Sequence, residues 1–403
     1  PETGAINHDY SAGGDRIRTA KAGLSVEFDF DGPGRLYYVD APTGTNDVEF
    51  VYDQASLPTT IDNTTADYVQ IWDGAQRLTR RTATIDGRTF VTNFDYDDHD
   101  RLTEIIYPSG RTFVYGYDGD GRVDSITYPG EGAYAPSITY TSHGGLDVLS
   151  YGNGAFSDLT YDSRFRPTLF NTQLDDLSVG YDPASRINSW SASGVTRGFG
   201  YDDLGRLTSA TGPAGEAMSF IYNGAGNRSS SIVGGVPETY TYNSATGRLS
   251  SVSGGDAPTY GCASPGRVTC ATGRTYTWTG LDRLASITVG PTLAAYSYDG
   301  EGRRVKSTVD GVSRYFVLDP SGKILAEYDG AGLLLIEHIY LGDKRIASRK
   351  ASDGSRLYFQ QDAAGSSWLI TSGTGSPVQN FRYWPFGEVW DQFGSFDAPL
   401  VLI

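Results

Sequence analysis

The chain has 403 residues, with 51 glycines, 13% aromatic residues and one methionine, a composition that favours turn-rich β-structure over helix. Its formal charge of −16 argues against nucleic acid as a partner, because phosphate binding needs a concentrated basic face, and it fits an acidic, soluble surface. No run of about 18 apolar residues is present, so no membrane span is expected. The sequence opens at Pro1 with no basic, apolar leader, as a mature form or a piece of something longer would.

One phrase returns along the chain. It reads FDGPGRL at Phe30, YDQASL at Tyr52, WDGAQRL at Trp72, YDDHDRL at Tyr96, YDGDGRV at Tyr117 and YTSHGGL at Tyr140. It continues as YDSRFRP at Tyr161, YDPASRI at Tyr181, YDDLGRL at Tyr201, YNGAGNR at Tyr222 and YNSATGRL at Tyr242. Then come YGCASPGRV at Tyr260, WTGLDRL at Trp278, YDGEGRRV at Tyr298, LDPSGKIL at Leu318 and YDGAGLLL at Tyr328. The spacing is about 20 residues, a period that marks a repeat architecture.

Each unit reads as a hairpin. The aromatic ends one strand, and Asp or Asn follows with a side chain able to bond nearby backbone N–H groups and start a turn. Glycine permits positive φ there. Arg-Leu or Arg-Val opens the next strand, which alternates as in RLTSAT or RVDSITY. A second turn, written PSG, PGEG or GPAG, sends the chain back. Helical periodicity is nearly absent. The repeated Tyr, Asp, Gly and Arg are therefore scaffold positions, and the aromatics are expected to lie in register and stack across strands.

About sixteen units of two strands give roughly 32 strands, and at ~4.8 Å each the sheet would be ~150 Å wide. Flat sheets of that width curl, split or close. The expected fold is all-β: a coiled, spiral sheet of hairpins that winds tightly or encloses space as a shell or barrel.

Two local features stand apart. FDYDDHD places Asp95, Asp97, Asp98 and Asp100 together, a weak calcium candidate, since it lacks the turn glycine and distal glutamate of an EF-hand; the alternative is an exposed acidic turn. Cys262 and Cys270 flank Pro265-Gly266, so a hairpin there brings them side by side. A bridge would add roughly 2–3 kcal/mol in an extracytoplasmic setting; the alternative is two free thiols.

The Tyr-Asp…Gly-Arg-Leu unit resembles the YD repeat of bacterial RHS proteins, wall-associated proteins, Tc-toxin C components and animal teneurins. The stretch Ala326–Ala347 is similar to the segment ahead of the RHS core's C-terminal signature. Asp362, Gly365, Ser366, Tyr383, Pro385, Phe386 and Gly387 match the signature itself. Family members often carry histidine near that aspartate, where this chain has Gln360 and Ala363. The family's Asp-Pro-x-Gly-Leu motif, its self-cleaving protease and its toxin are absent from the sequence.

The resemblance implies two readings. One is a non-enzymatic shell of a secreted or cell-surface bacterial protein, with a C-terminal toxin or other polypeptide as cargo. The other is a teneurin-like module that binds cell-surface glycans. Residues 1–357 would form the β-spiral. Residues 358–403, rich in Trp368, Trp384, Phe386 and Trp390 and ending in LVLI, would start a cap or plug that turns inward and buries Leu400 to Ile403; the alternative is that these last residues are a severed strand without its partner.

The catalytic search is mostly negative. His8, His99, His143 and His338 sit in no metal-protease or nucleophile-elbow motif, and no Asp-Thr-Gly or Asp-Ser-Gly is present. Carboxylates are numerous enough that an acid pair for glycoside hydrolysis could be assembled from them. No enzymatic activity, cofactor or zinc site is expected.

Overall fold

A computed structural model describes residues 6–21, 24–42, 47–212, 215, 217–244, 247–254, 262–264, 267–363, 365–383, 386 and 389–393. These residues form 39 β-strands and no helix. The strands lie in strict chain order, each antiparallel hairpin beside the next. They make three open sheets: thirteen strands from Ile6–Tyr10 to Gly132–Ala135, twelve from Ser137–Tyr140 to Leu249–Ser253, and fourteen from Cys262–Ser264 to Val389–Phe393. The first break falls at Pro136, which has no N–H to give a ladder.

The chain divides into two compact units, residues 1–112 with 241–335, and residues 113–240 with 336–403. In the first unit, Phe50, Ile61, Tyr68, Ala83 and Phe90 stand opposite one another across five strands. They pack on Tyr315, Val317, Ala326 and Tyr328 from Val312–Leu318 and Ile324–Asp329 in one core. Phe90 and Tyr328 have ring centroids 4.6 Å apart. Gly300 is required where the layers meet, since a Cβ there would come within 2.7 Å of Val48 and 2.8 Å of Ile61.

In the second unit, Leu159, Phe170, Leu177, Val179 and Ala192 pack on Trp368 and Leu369. Glu131 bonds Arg349 at 2.7 and 2.9 Å and Arg356 at 3.1 Å. Asn153 donates to the Thr371 hydroxyl at 2.9 Å and the Ser372 carbonyl at 2.7 Å.

Six strands depart from the expected alternation. From Val312–Leu318 to Ser367–Ser372, four consecutive residues of each strand are buried. Both faces of these strands are therefore covered, which makes an inner strand a continuous buried run. Polar residues are among them, and two pairs show how they are met: His338 Nδ1 and Ser348 Oγ lie 2.7 Å apart, and Arg314 bonds Glu327 at 2.6 Å.

Candidate functional site

The repeated turn is the recurrent chemical feature of the chain. Asp182 shows how it is built. Its N–H donates to the Arg186 carbonyl at 2.9 Å, and its own carbonyl accepts from Ser185 N–H at 3.0 Å. One carboxylate oxygen accepts the Arg186 N–H at 2.9 Å, and the other accepts Arg186 Nε at 2.7 Å. The residue four places after the aromatic adopts positive φ, usually as glycine, as at Gly121, Gly205 and Gly302.

The arginine then reaches the next repeat. Arg186 Nη1 donates to the Asp202 carbonyl at 3.1 Å, and its guanidinium lies 4.7 Å from the Tyr201 ring centroid. Tyr201 replies with its hydroxyl, donated to the Ile187 carbonyl at 2.7 Å. The same phenol-to-carbonyl bond is made by Tyr52, Tyr96, Tyr140, Tyr161, Tyr181, Tyr222, Tyr298 and Tyr383. Guanidinium-on-ring contacts recur at Arg35–Tyr52, Arg77–Tyr96, Arg122–Tyr140, Arg166–Tyr181 and Arg206–Tyr222.

The aromatics are in register, but arginine rather than a second ring fills the space between them. Successive repeat tyrosines stand two strands, or ~9.6 Å, apart, which is too far for ring contact. Trp72 and Trp278 use indole instead, donating Nε1 to the Pro58 and Val268 carbonyls at 2.9 Å. Tyr117 and Tyr242 end their strands as expected; Tyr328 is one residue short of its strand's end at Asp329. Tyr260 lies outside the described residues.

The charges are locked within these turns. Hydrogen bonds from Arg101 and Arg166 hold the Asp97 and Asp162 carboxyls down at about 2. Asp31, Asp73, Asp118, Asp182 and Asp202 are lowered by the same kind of bonds. Within the calcium candidate, Asp97 is spent on Arg101 and its own turn, and Asp100 pairs with Arg77 at 2.9 Å. Asp95 lies opposite Glu104 across two strands, and Asp98 is in the turn. Among the described residues no group of three or more His, Cys, Asp or Glu is arranged to hold a metal.

Asp362, Gly365 and Ser366 form a turn of the same kind, with Ser366 N–H on the Asp362 carboxylate at 2.9 Å and Gly365 at φ +84°. Tyr383 bonds back to the Ser367 carbonyl at 2.8 Å. The signature's start therefore repeats the hairpin chemistry. Phe386 meets Phe220 edge-on at 5.0 Å. Pro385, Gly387, Trp384 and the end Leu400 to Ile403 lie outside the described residues. The backbone register sets Cys262 opposite Cys270, and their side chains are outside the described residues.

Sequence reasoning missed a buried polar group in the first unit. Tyr68 donates its hydroxyl to Asp299 at 3.0 Å, and Arg81 lies 3.8 Å over the Tyr68 ring while bonding Glu301 at 2.5 Å. Burial, reinforced by the Asp299 charge, pushes the Tyr68 phenol above its ordinary range. Asp299 is the aspartate of a repeat, so the turn motif was visible, but its partner 231 residues away was not.

An antiparallel scaffold whose turns bind their neighbours through Tyr, Asp and Arg defines a YD-repeat protein. The RHS Repeat family model matches residues 72–112 and 96–133, and the Teneurin YD-shell model matches residues 137–253. The chain is thus similar to RHS/YD-repeat proteins over residues 72–133 and 137–253.

Among curated relatives it is 23% identical over 316 residues to the tRNA3(Ser)-specific nuclease WapA of Bacillus spizizenii, covering 72% of this chain and 13% of the relative. It is 24% identical over 287 residues to the tRNA nuclease WapA of Bacillus subtilis, covering 66% of this chain and 12% of the relative. The chain thus spans about an eighth of the length of these relatives. Among solved structures, TcdB2-TccC3 without its hypervariable C-terminal region is similar at a TM-score of 0.76 and 15% identity, over 96% of this chain and 24% of that one. A Photorhabdus luminescens Tc holotoxin pore is similar at 0.75 and 14% identity, over 95% of this chain and 23% of that one. The likeness to both is one of fold.

Proposed function

We propose that this chain is part of the structural shell of a secreted or cell-surface RHS-type toxin, which encloses or delivers a polypeptide cargo and has no enzymatic step of its own. The observation that carries the reading is the spending of repeat chemistry on the scaffold. The repeat Asp, Arg and Tyr of the turns described above bond neighbouring strands, which leaves wall rather than reactive centre. The fold likeness to TccC3-containing structures and the nuclease names of the WapA relatives support a wall that serves another domain's activity. Residues 1–357 act as the hairpin wall and residues 358–403 as its closing segment.

The test is enclosure. The full-length protein containing this chain is digested with a broad protease before and after mild denaturation. Cargo fragments that survive only while the wall is folded support the reading; cargo cut at the same rate in both states overturns it. Deleting residues 380–403 tests the closing segment through loss of thermal stability and a gain of dye-binding apolar surface. A second reading, extracellular adhesion through glycans, is favoured by the Teneurin YD-shell match over residues 137–253.

A further inference from the structure

In one repeat an amine and an amide stand where the others have arginine and tyrosine. Tyr201 lies opposite Leu207, and Arg206, just before Leu207, has its guanidinium 4.7 Å from the ring centroid of the next repeat's Tyr222. By the same register Tyr340 lies opposite Arg345, which puts Lys344 in the place of that arginine. Gln361 lies opposite Ser367 and is followed by Asp362, which is the place of the next tyrosine. Lys344 and Gln361 are 17 residues apart, as Arg35 and Tyr52 are. Both side chains line one small cavity of the second unit, walled by Leu146, Leu149, Leu159 and Phe170.

The two groups are not satisfied as the arginine and tyrosine are. Gln361 Oε1 is buried with no hydrogen-bond partner. Among the described residues the Lys344 side chain makes no hydrogen bond or ion pair. A buried carbonyl and a half-buried amine left in this way are costly to keep. Burial among apolar side chains lowers the Lys344 ammonium from its ordinary range, and the Asp362 charge opposes that shift. An amine that gives up its proton readily, a carboxamide across from it and a carboxyl next in sequence are the parts of an acyl transfer.

We infer that Lys344 and Gln361 are joined by an isopeptide bond that the folded chain makes itself. The neutral Lys344 amine attacks Cδ of Gln361. A bond forms from Nζ to Cδ, the bond from Cδ to the amide nitrogen breaks, and ammonia leaves. Asp362 carries a proton from the attacking nitrogen to the leaving one, so the step balances without a co-reactant. It happens once in each chain and is not turnover. The product is neutral, so it removes a charge from the cavity, and it ties the strand Lys344–Lys350 to the strand Arg356–Gln361. The bond needs neither cargo nor a closed wall, so its test is independent of the enclosure reading.

The intact purified chain is weighed by mass spectrometry under denaturing conditions and then digested with trypsin. A mass about 17 Da below that of the sequence is expected, the loss of one ammonia. Trypsin does not cut after an acylated lysine, so a branched peptide joining residues 324–345 to residues 357–382 is expected as well. Lys344→Arg and Gln361→Ala should each restore the full mass. Asp362→Asn keeps an acceptor for the Ser366 N–H and should leave most of the chain unlinked. A wild-type chain of full mass overturns the inference, as does a deficit that persists in Lys344→Arg. Undiminished linkage in Asp362→Asn overturns the role of Asp362 as proton carrier.

Discussion

Arg186 lies 4.7 Å from the ring centroid of Tyr201 in the next repeat, while Tyr201 returns a hydrogen bond to the residue after that arginine. The pair should therefore be energetically coupled. A double-mutant cycle of Arg186→Ala and Tyr201→Leu is expected to give a coupling of about 0.5–1 kcal/mol in chemical unfolding, the range of a partly exposed cation–ring contact. Strict additivity would mean that the contact is a by-product of packing.

Acid should leave the turns intact until unusually low pH. Asp97 and Asp162 titrate at about 2 in the folded chain against an ordinary 3.8, so their stabilisation is complete above pH 4 and is lost as pH falls through about 2. Thermal unfolding followed from pH 5 to pH 2 is expected to show a steepening loss below pH 4. Asp162→Asn should flatten that loss in part. A midpoint of acid unfolding above pH 5 would contradict the assignment.

Asp67 should behave in the opposite sense. Its hydrogen bond with Asp62, directly across the hairpin, raises its carboxyl to about 6. An acid raised in this way favours the folded state at low pH, and the benefit is lost as pH rises from about 4 through 6. Asp67→Asn is therefore expected to raise Tm at pH 7.5 and to change it little at pH 4. An equal shift at both values would show that the two carboxyls do not share a proton.

The buried bond between Tyr68 and Asp299 gives a fourth test. Tyr68→Phe removes one donor from a carboxylate whose side chain is 0% exposed, leaving Arg303 Nε at 3.0 Å as a remaining partner. A loss of about 1.5–3 kcal/mol is expected by urea unfolding. Trp368→Ala, at a side chain 1% exposed, should cost about 3–5 kcal/mol through transfer and cavity terms together. A smaller loss at Trp368 than at Tyr68 would reverse this ranking.

The turns were legible in the sequence because every partner in them is close. Asp182 bonds backbone within four residues, as read from its type and place, whereas its pairing with the Arg186 side chain and the bond of Tyr201 to Ile187 fourteen residues back were not read there. The pairing of layers was not legible. Nothing near Tyr68 names Asp299, and the register that places both on facing sides emerges only when the sheets are packed. The inner strands hid for a different reason: Leu357, Tyr358, Phe359 and Gln360 are all buried, so no alternation marks a face.

The distance in sequence between Tyr68 and Asp299 also sets a timetable for biosynthesis. At a ribosomal rate of about 5–20 residues per second, the intervening 231 residues take roughly 10–45 s to emerge. Throughout that interval the row from Phe50 to Phe90 has its own hairpins but not the strands that will cover it. The nascent chain thus carries an uncovered aromatic sheet for far longer than a hairpin needs to form. Holding that half-finished sheet apart from other chains is a demand that the architecture places on the cell that makes it.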